Sequence, residues 1–175
     1  SFEALLKSQT DAAGSGNAGV MPAAAAHPAG PGFRPLTVTA IDRESEDVVS
    51  LTMQSADGQP LQAAMAGQYV VVRLLTTVGG PPVFRSYSLS GPLSTERYRI
   101  SVKVEPNGVA GTYLRERVGV GDVLDVSSPR GSFVLQSGEG PVVLLSAGIG
   151  ATPVLAMLYA LAAAPSSRQV LWLHA

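Results

Sequence analysis

The chain contains no cysteine among its 175 residues. That excludes disulfides, a cysteine-ligated zinc and an iron–sulfur cluster held by this chain. It has no excess charge of either sign: 12 Lys and Arg against 13 Asp and Glu give a net charge of −1. Nothing therefore favours nucleic acid or an acidic membrane surface as a partner. No apolar run is long enough to span a bilayer, and the first residues do not read as a secretory leader. These absences are compatible with the cytoplasm. No cluster of His, Asp and Glu suggests acid–base catalysis, and none suggests a metal site. What remains is a loop-rich globular protein, 46% hydrophobic, with 19 Gly and 13 Pro. Its length fits one domain, or one domain and part of another.

The sequence divides by composition. Residues 1–8 read as a scrap of helix with Phe2, Leu5 and Leu6 on one side, too short to stand alone. Residues 9–32 are rich in Ala, Gly, Pro and Ser and read as a linker, with His27 a solvated residue within it. Residues 1–32 are thus expected to be the end of an upstream domain and a flexible connection. The chain opens on Ser1 and stops inside the apolar run before Ala175, so both ends read as cuts through a longer protein.

Six short strands are expected next. They fall at residues 36–41, 49–54, 69–75, around Arg85, 98–105 and 123–126. Val49, Leu51 and Met53 alternate with Ser50, Thr52 and Gln54. Tyr98, Ile100, Val102 and Val104 alternate with Arg99, Ser101, Lys103 and Glu105. Frequent Gly and Pro turns between such strands predict a small antiparallel barrel or sandwich. One helix, residues 112–118, interrupts the series after the glycine-rich stretch Asn107-Gly108-Val109-Ala110-Gly111. Open amides before a helix can hold an anion; an Asn-Gly turn before an ordinary surface helix is the plainer reading.

Two further stretches carry chemistry. Arg85-Ser86-Tyr87-Ser88-Leu89-Ser90 joins a permanent cation, a flat ring and short hydroxyls, the mixture that a planar, phosphate-bearing cofactor needs. On a strand, Arg85 and Tyr87 share one face, and Ser86 and Ser88 the other. An exposed strand with a stacked Arg and Tyr is the alternative. After Pro141, a continuous apolar strand meets Gly148-Ile149-Gly150-Ala151-Thr152-Pro153, an apolar helix over 154–164 and a second apolar strand. This predicts a β-α-β unit with Thr152 as N-cap and Pro153 at the first helical position. The third glycine of the dinucleotide fingerprint is absent.

Together these pieces resemble the ferredoxin–NADP reductase superfamily, particularly the reductase half of flavohaemoglobins, over residues 33–175. Three motifs in order carry the resemblance. They are Gly67-Gln68-Tyr69 with Arg85-x-Tyr87-Ser88; the loop from Gly108 to Gly111 followed by Gly121-Asp122 and Pro129-x-Gly131-x-Phe133; and Gly148-x-Gly150-x-Thr152-Pro153. The resemblance implies an all-β, six-stranded antiparallel flavin-binding barrel with one helix at 33–138. It further implies the start of an α/β NAD(P)-binding domain, a truncated β-α-β unit, at 139–175. Arg85 is then expected on a flavin phosphate, Tyr87 and Tyr69 against the flavin, and Ser88 near its hydride-accepting N5. Ser86, Val102 and Lys103 are expected to complete the wall, a solvated strand lysine being the plainer reading of Lys103. The backbone of Gly108, Val109, Ala110, Gly111 and Thr112 would bind the diphosphate. Gly148, Gly150, Thr152 and Pro153 would receive the nicotinamide nucleotide, with Thr152 and Ser88 nearest the transfer.

FAD is favoured over FMN, with NADH or NADPH as hydride donor and no metal. A haem globin or a 2Fe–2S domain is the expected redox partner. Residues 1–35 also resemble the junction that joins a MOSC domain to such a reductase, a globin being the rival parent. Two departures stand out: Gly111 occupies the family's usual serine position, and only the opening unit of the nucleotide domain is present. A nucleotide-binding or interaction module without turnover is the alternative function.

Overall fold

The computed structural model describes residues 32–164 and 168–175. The expected N-terminal helix and linker lie outside the described residues. Strands β1 (Phe33–Arg43), β2 (Val48–Ser55), β3 (Tyr69–Leu74), β4 (Val83–Ser88), β5 (Arg97–Lys103) and β6 (Val123–Ser127) form one antiparallel sheet in the order β4-β3-β6-β1-β2-β5. All six expected strands are present. The sheet curls until its two edges meet just past the end of β4. There Leu89 bridges Ile100, and the Ser90 N–H donates to the Arg99 carbonyl at 2.8 Å.

The alternation read from the sequence places the core. Val49, Leu51 and Met53 on β2 and Tyr98, Ile100 and Val102 on β5 are all nearly fully buried. They pack with Leu36, Val38, Val70, Val72, Leu74 and Val126 inside the barrel. Each large aliphatic group so buried contributes roughly 2–3 kcal/mol. Helix α1 (Val109–Glu116) caps this core with Leu114, which is completely buried. The Tyr98 hydroxyl donates to the Gln62 carbonyl; burial pushes this phenol up to about 12, against the opposing charge of Arg34.

The second sheet has two parallel strands, β7 (Val142–Ser146) and β8 (Val170–His174), joined through a single 3₁₀ turn (Gly148–Gly150) and helix α2 (Ala151–Ala163). Val142, Leu144, Val154 and Met157 make a small core of their own, into which Ala66 from the barrel connection inserts. The opposite face of this sheet, with Val143, Leu145, Leu171 and Leu173, is exposed.

Two local expectations are corrected. Helix α1 begins at Val109 rather than Thr112, with Gly108 as its N-cap. Thr152 is not an N-cap, nor Pro153 the first helical residue. Gly150 already has helical angles (φ −61, ψ −7) because the 3₁₀ turn runs straight into α2, leaving no extended residue to cap. The Thr152 hydroxyl instead donates to the Ile149 carbonyl at 2.9 Å.

Candidate functional site

The Arg85 strand is an edge of the barrel. Its partner β3 buries Val70 and Val72. The register sets Tyr87 opposite Val70 and Arg85 opposite Val72, so both lie on the inward-facing side. Ser86 and Ser88 lie on the other side, opposite Val71 and Tyr69. The alternation expected from sequence is therefore present. Tyr87 packs against the barrel core, and burial pushes its phenol up from the usual tyrosine range, partly opposed by the Arg85 charge. Arg85 is exposed. It donates to the Phe84 carbonyl at 2.8 Å and joins no ion pair among the described residues. Its charge is free for an anionic ligand. The ring of Tyr69 rests over Gly131, where a Cβ would approach it to 3.0 Å. Gly131 has φ +101, so glycine suits both the turn and the ring.

The N-terminal end of helix α1 leaves backbone amides open. The Gly108 N–H is spent on the Glu105 carbonyl at 2.9 Å, and the Thr112 N–H on Gly108 at 3.0 Å. That leaves the first-turn amides of Val109, Ala110 and Gly111, which have no carbonyl one turn back within the helix. Thr112 thus offers its hydroxyl rather than its amide. A cavity of about 350 Å³ opens here, lined by Thr76 and Asn107 together with Val109, Thr112, Tyr113 and Arg117. Gly111 backs this helix onto β5; a Cβ on it would meet the Val104 Cα at 3.2 Å.

A second cavity, of about 410 Å³, lies between the barrel and the β-α-β unit. Its barrel wall includes Arg99, Ser101 and Lys103, and its opposite wall Gly148, Ile149 and Thr152. Nothing lies within 4 Å of where a Cβ would stand on Gly148 or Gly150, so a ligand can approach the backbone there. The two glycine amides are engaged, however: Gly148 donates to Ala175 at 3.1 Å and Gly150 to Ala147 at 3.0 Å. Lys103 stands 3.4 Å from Glu105 and 3.9 Å from Asp47, half exposed. Val102 is the one predicted wall residue whose side chain is not presented; it is 1% exposed and points into the barrel core. At the end of β8, His174 hydrogen-bonds Ser146 at 2.9 Å, and Trp172 donates to the same hydroxyl at 2.8 Å.

Sequence reasoning missed a buried polar group beneath this cavity. The hydroxyls of Ser50, Ser101 and Ser90 form a chain, with links of 2.7 and 2.8 Å. Arg99 Nη1 lies 3.2 Å from Ser90 Oγ and 3.3 Å from Ser101 Oγ, while its other nitrogen pairs with Glu44. This ties β2, β5 and the end of β4 together two residues from Ser88. The signal available in the sequence was serine, rather than a charged residue, at the solvent-phase positions 50 and 101.

A barrel edge with a free arginine and two tyrosines, a helix with open amides and a cleft against a glycine turn together fit a flavin nucleotide. Residues 35–135 match the family described as the oxidoreductase FAD-binding domain. The chain belongs to this family. A flavohemoprotein of Pseudomonas aeruginosa is 43% identical over 143 residues, covering 82% of this chain and 35% of the relative. The flavohem-like FAD/NAD-binding domain of nitric oxide dioxygenase from Vibrio cholerae is 35% identical with a TM-score of 0.77, covering 82% of this chain and 62% of that one. Phthalate dioxygenase reductase, described as a modular structure for electron transfer from pyridine nucleotides to 2Fe–2S, is 29% identical with a TM-score of 0.72, over 82% and 43%. The FAD-binding domain is thus of the flavohaemoglobin-like type within the ferredoxin–NADP reductase superfamily. It spans about a third of the length of the curated relatives it matches.

Proposed function

We propose that this FAD-binding domain is the flavin-dependent oxidoreductase module of a larger NAD(P)H-oxidising protein. The observation that carries the reading is the cavity of about 410 Å³ shared between β5 and the Gly148–Thr152 turn. It brings a barrel wall beside the flavin-type edge strand against a nucleotide-type turn. Bound FAD would supply the chemistry, taking a hydride from NADH or NADPH and releasing electrons onward. The protein's part is to bind and orient. Arg85 and the α1 amides take the phosphates, Tyr69 and Tyr87 the flat ring system, and Thr112 a polar edge. Ser88 and Thr152 are the hydroxyls assigned to the two ends of the hydride path. Hydride transfer needs no side-chain acid or base, in keeping with the residues present.

The onward partner is a second redox centre, a haem globin as in the flavohemoproteins or a 2Fe–2S domain as in phthalate dioxygenase reductase. The module works where its donors circulate, in the cytoplasm. One observation favours the rival reading, a nucleotide-binding module without turnover: the Gly148 and Gly150 amides are already spent within the turn.

The test is a visible spectrum of the purified protein with chromatographic identification of any released flavin, then anaerobic mixing with NADH or NADPH. Bound FAD that bleaches supports the oxidoreductase. Bound FAD that neither nucleotide bleaches supports the module without turnover. A folded protein that stays colourless after incubation with FAD and FMN overturns both.

A further inference from the structure

We infer that Gly67 is a positioning residue that sets the separation between the flavin barrel and the Gly148–Thr152 turn, an inference that rests on the oxidoreductase reading. Gly67 has φ +105, a region that side-chain-bearing residues rarely enter. It also has no room. A Cβ would stand 2.2 Å from the Phe133 carbonyl oxygen and 2.6 Å from Met157 Cε. The first neighbour is backbone and cannot swing aside. About 0.8 Å must open before that Cβ reaches even the 3.0 Å floor of real contacts.

The chain on either side of Gly67 holds the two halves of the site. Ala66 is buried in the β-α-β core, and its carbonyl accepts the Leu135 N–H at 3.0 Å. The Gln68 carbonyl accepts the N–H of Leu89, the residue after Ser88, at 2.9 Å. Tyr69 exchanges hydrogen bonds with Arg130 at 2.9 and 2.8 Å. Met157 lies on α2, five residues beyond Thr152, or about 7.5 Å along a stiff helix. The tip of Met157 can swing aside, so the displacement passes through the Phe133 backbone to Leu135, two residues on, which packs against the core of the β-α-β unit. Three consecutive residues thus join the Ser88 side of the site to the Thr152 side. Hydride transfer depends on reacting atoms being held within about 3–3.5 Å, and an error near 1 Å can cost about a hundredfold.

The test uses two variants on opposite sides of one contact. Gly67→Ala adds the Cβ, and Met157→Phe enlarges the helix side while leaving the glycine backbone alone. Since the chain has no cysteine, Glu46→Cys and Tyr159→Cys can carry a spin-label pair across the cleft. Pulsed electron resonance then reads the separation in flavin-free protein. Each variant should lengthen that distance by roughly 1–3 Å. Each should also slow FAD reduction by saturating NADH about a hundredfold, with the FAD Kd changed less than threefold. A distance that changes without the rate, a rate that changes without the distance, or no change in either overturns the proposal. So does failure of both variants to fold, which would assign Gly67 to folding alone. If the unaltered FAD-loaded protein is reduced by neither nucleotide, the functional reading fails separately, and the distance alone decides whether Gly67 sets the spacing.

Discussion

Tyr69 and Ser88 stand directly opposite one another across the β3–β4 ladder. The same register places Arg85 and Tyr87 on the reverse side of the strand. One edge strand therefore presents a hydroxyl beside one ring and a cation beside another. Ser88→Ala should slow flavin reduction about tenfold, the worth of one hydrogen bond of roughly 1.4 kcal/mol made during transfer. FAD affinity should hardly move. Stopped-flow reduction beside a flavin titration separates the two; an unchanged rate would remove Ser88 from the hydride path.

Arg85 joins no ion pair among the described residues, so its removal leaves no carboxylate stranded. Arg85→Ala should weaken FAD binding by roughly 10- to 100-fold, as for loss of a charge-assisted hydrogen bond worth about 1.5–3 kcal/mol. Arg85→Lys should restore only part, since a point charge cannot reproduce the fork. Fluorescence-quenching titration reads both, and added salt should narrow the gap between them.

Ser101 is the middle of the serine chain. Ser101→Ala removes a partner from both Ser50 and Ser90, two hydroxyls that are fully buried. Urea unfolding should show a loss of about 1–3 kcal/mol. A loss below about 0.5 kcal/mol would mean that the three hydroxyls do not act together.

Asp57 gives the fold a pH dependence of known sign. Its carboxylate accepts from the Ser55 hydroxyl, from the Gln59 N–H at 3.0 Å and from Arg34 at 2.9 Å. These hold its pKa down at about 2. The unfolded chain binds the proton near pH 4. The contribution of the ionised group is therefore present above about pH 4 and fades as the pH falls through about 2. Asp57→Asn should flatten the stability–pH curve between those limits, with the loss of stability fully present at neutral pH and shrinking as the pH falls toward 2. Urea midpoints from pH 2 to 6 check it; identical slopes for the two proteins would contradict it.

The barrel strands were legible because each has a buried and an open face, and alternation records that directly. Ser50 and Ser101 mark where the record fails. They sit at solvent-phase positions, yet the end of β4 folds over them and covers the second face as well. The start of α1 was set too late because glycine and alanine at 108–111 read as loop, whereas Gly111 lets the first turn lie close on Val104. The cap at Thr152 was misplaced because a 3₁₀ turn leaves no sequence mark of its own. Gly67 was legible as part of a motif but not in its spatial role, since Phe133 and Met157 come together with it only in the fold.

Among the described residues the backbone closes the barrel through one bridge, Leu89 with Ile100, and through the hydrogen bond beside it, all past the end of β4. Most of β4, the strand that carries Arg85, Tyr87 and Ser88, therefore has a neighbour on one side only. A ligand gripping that strand on one side and α1 on the other would act as a clasp across an open hem. Its binding and the barrel's cohesion would then be a single free energy. Cofactor and fold would be lost together on heating, and the melting temperature would climb with the logarithm of free FAD, about 2.7 kcal/mol being gained at a hundred times Kd.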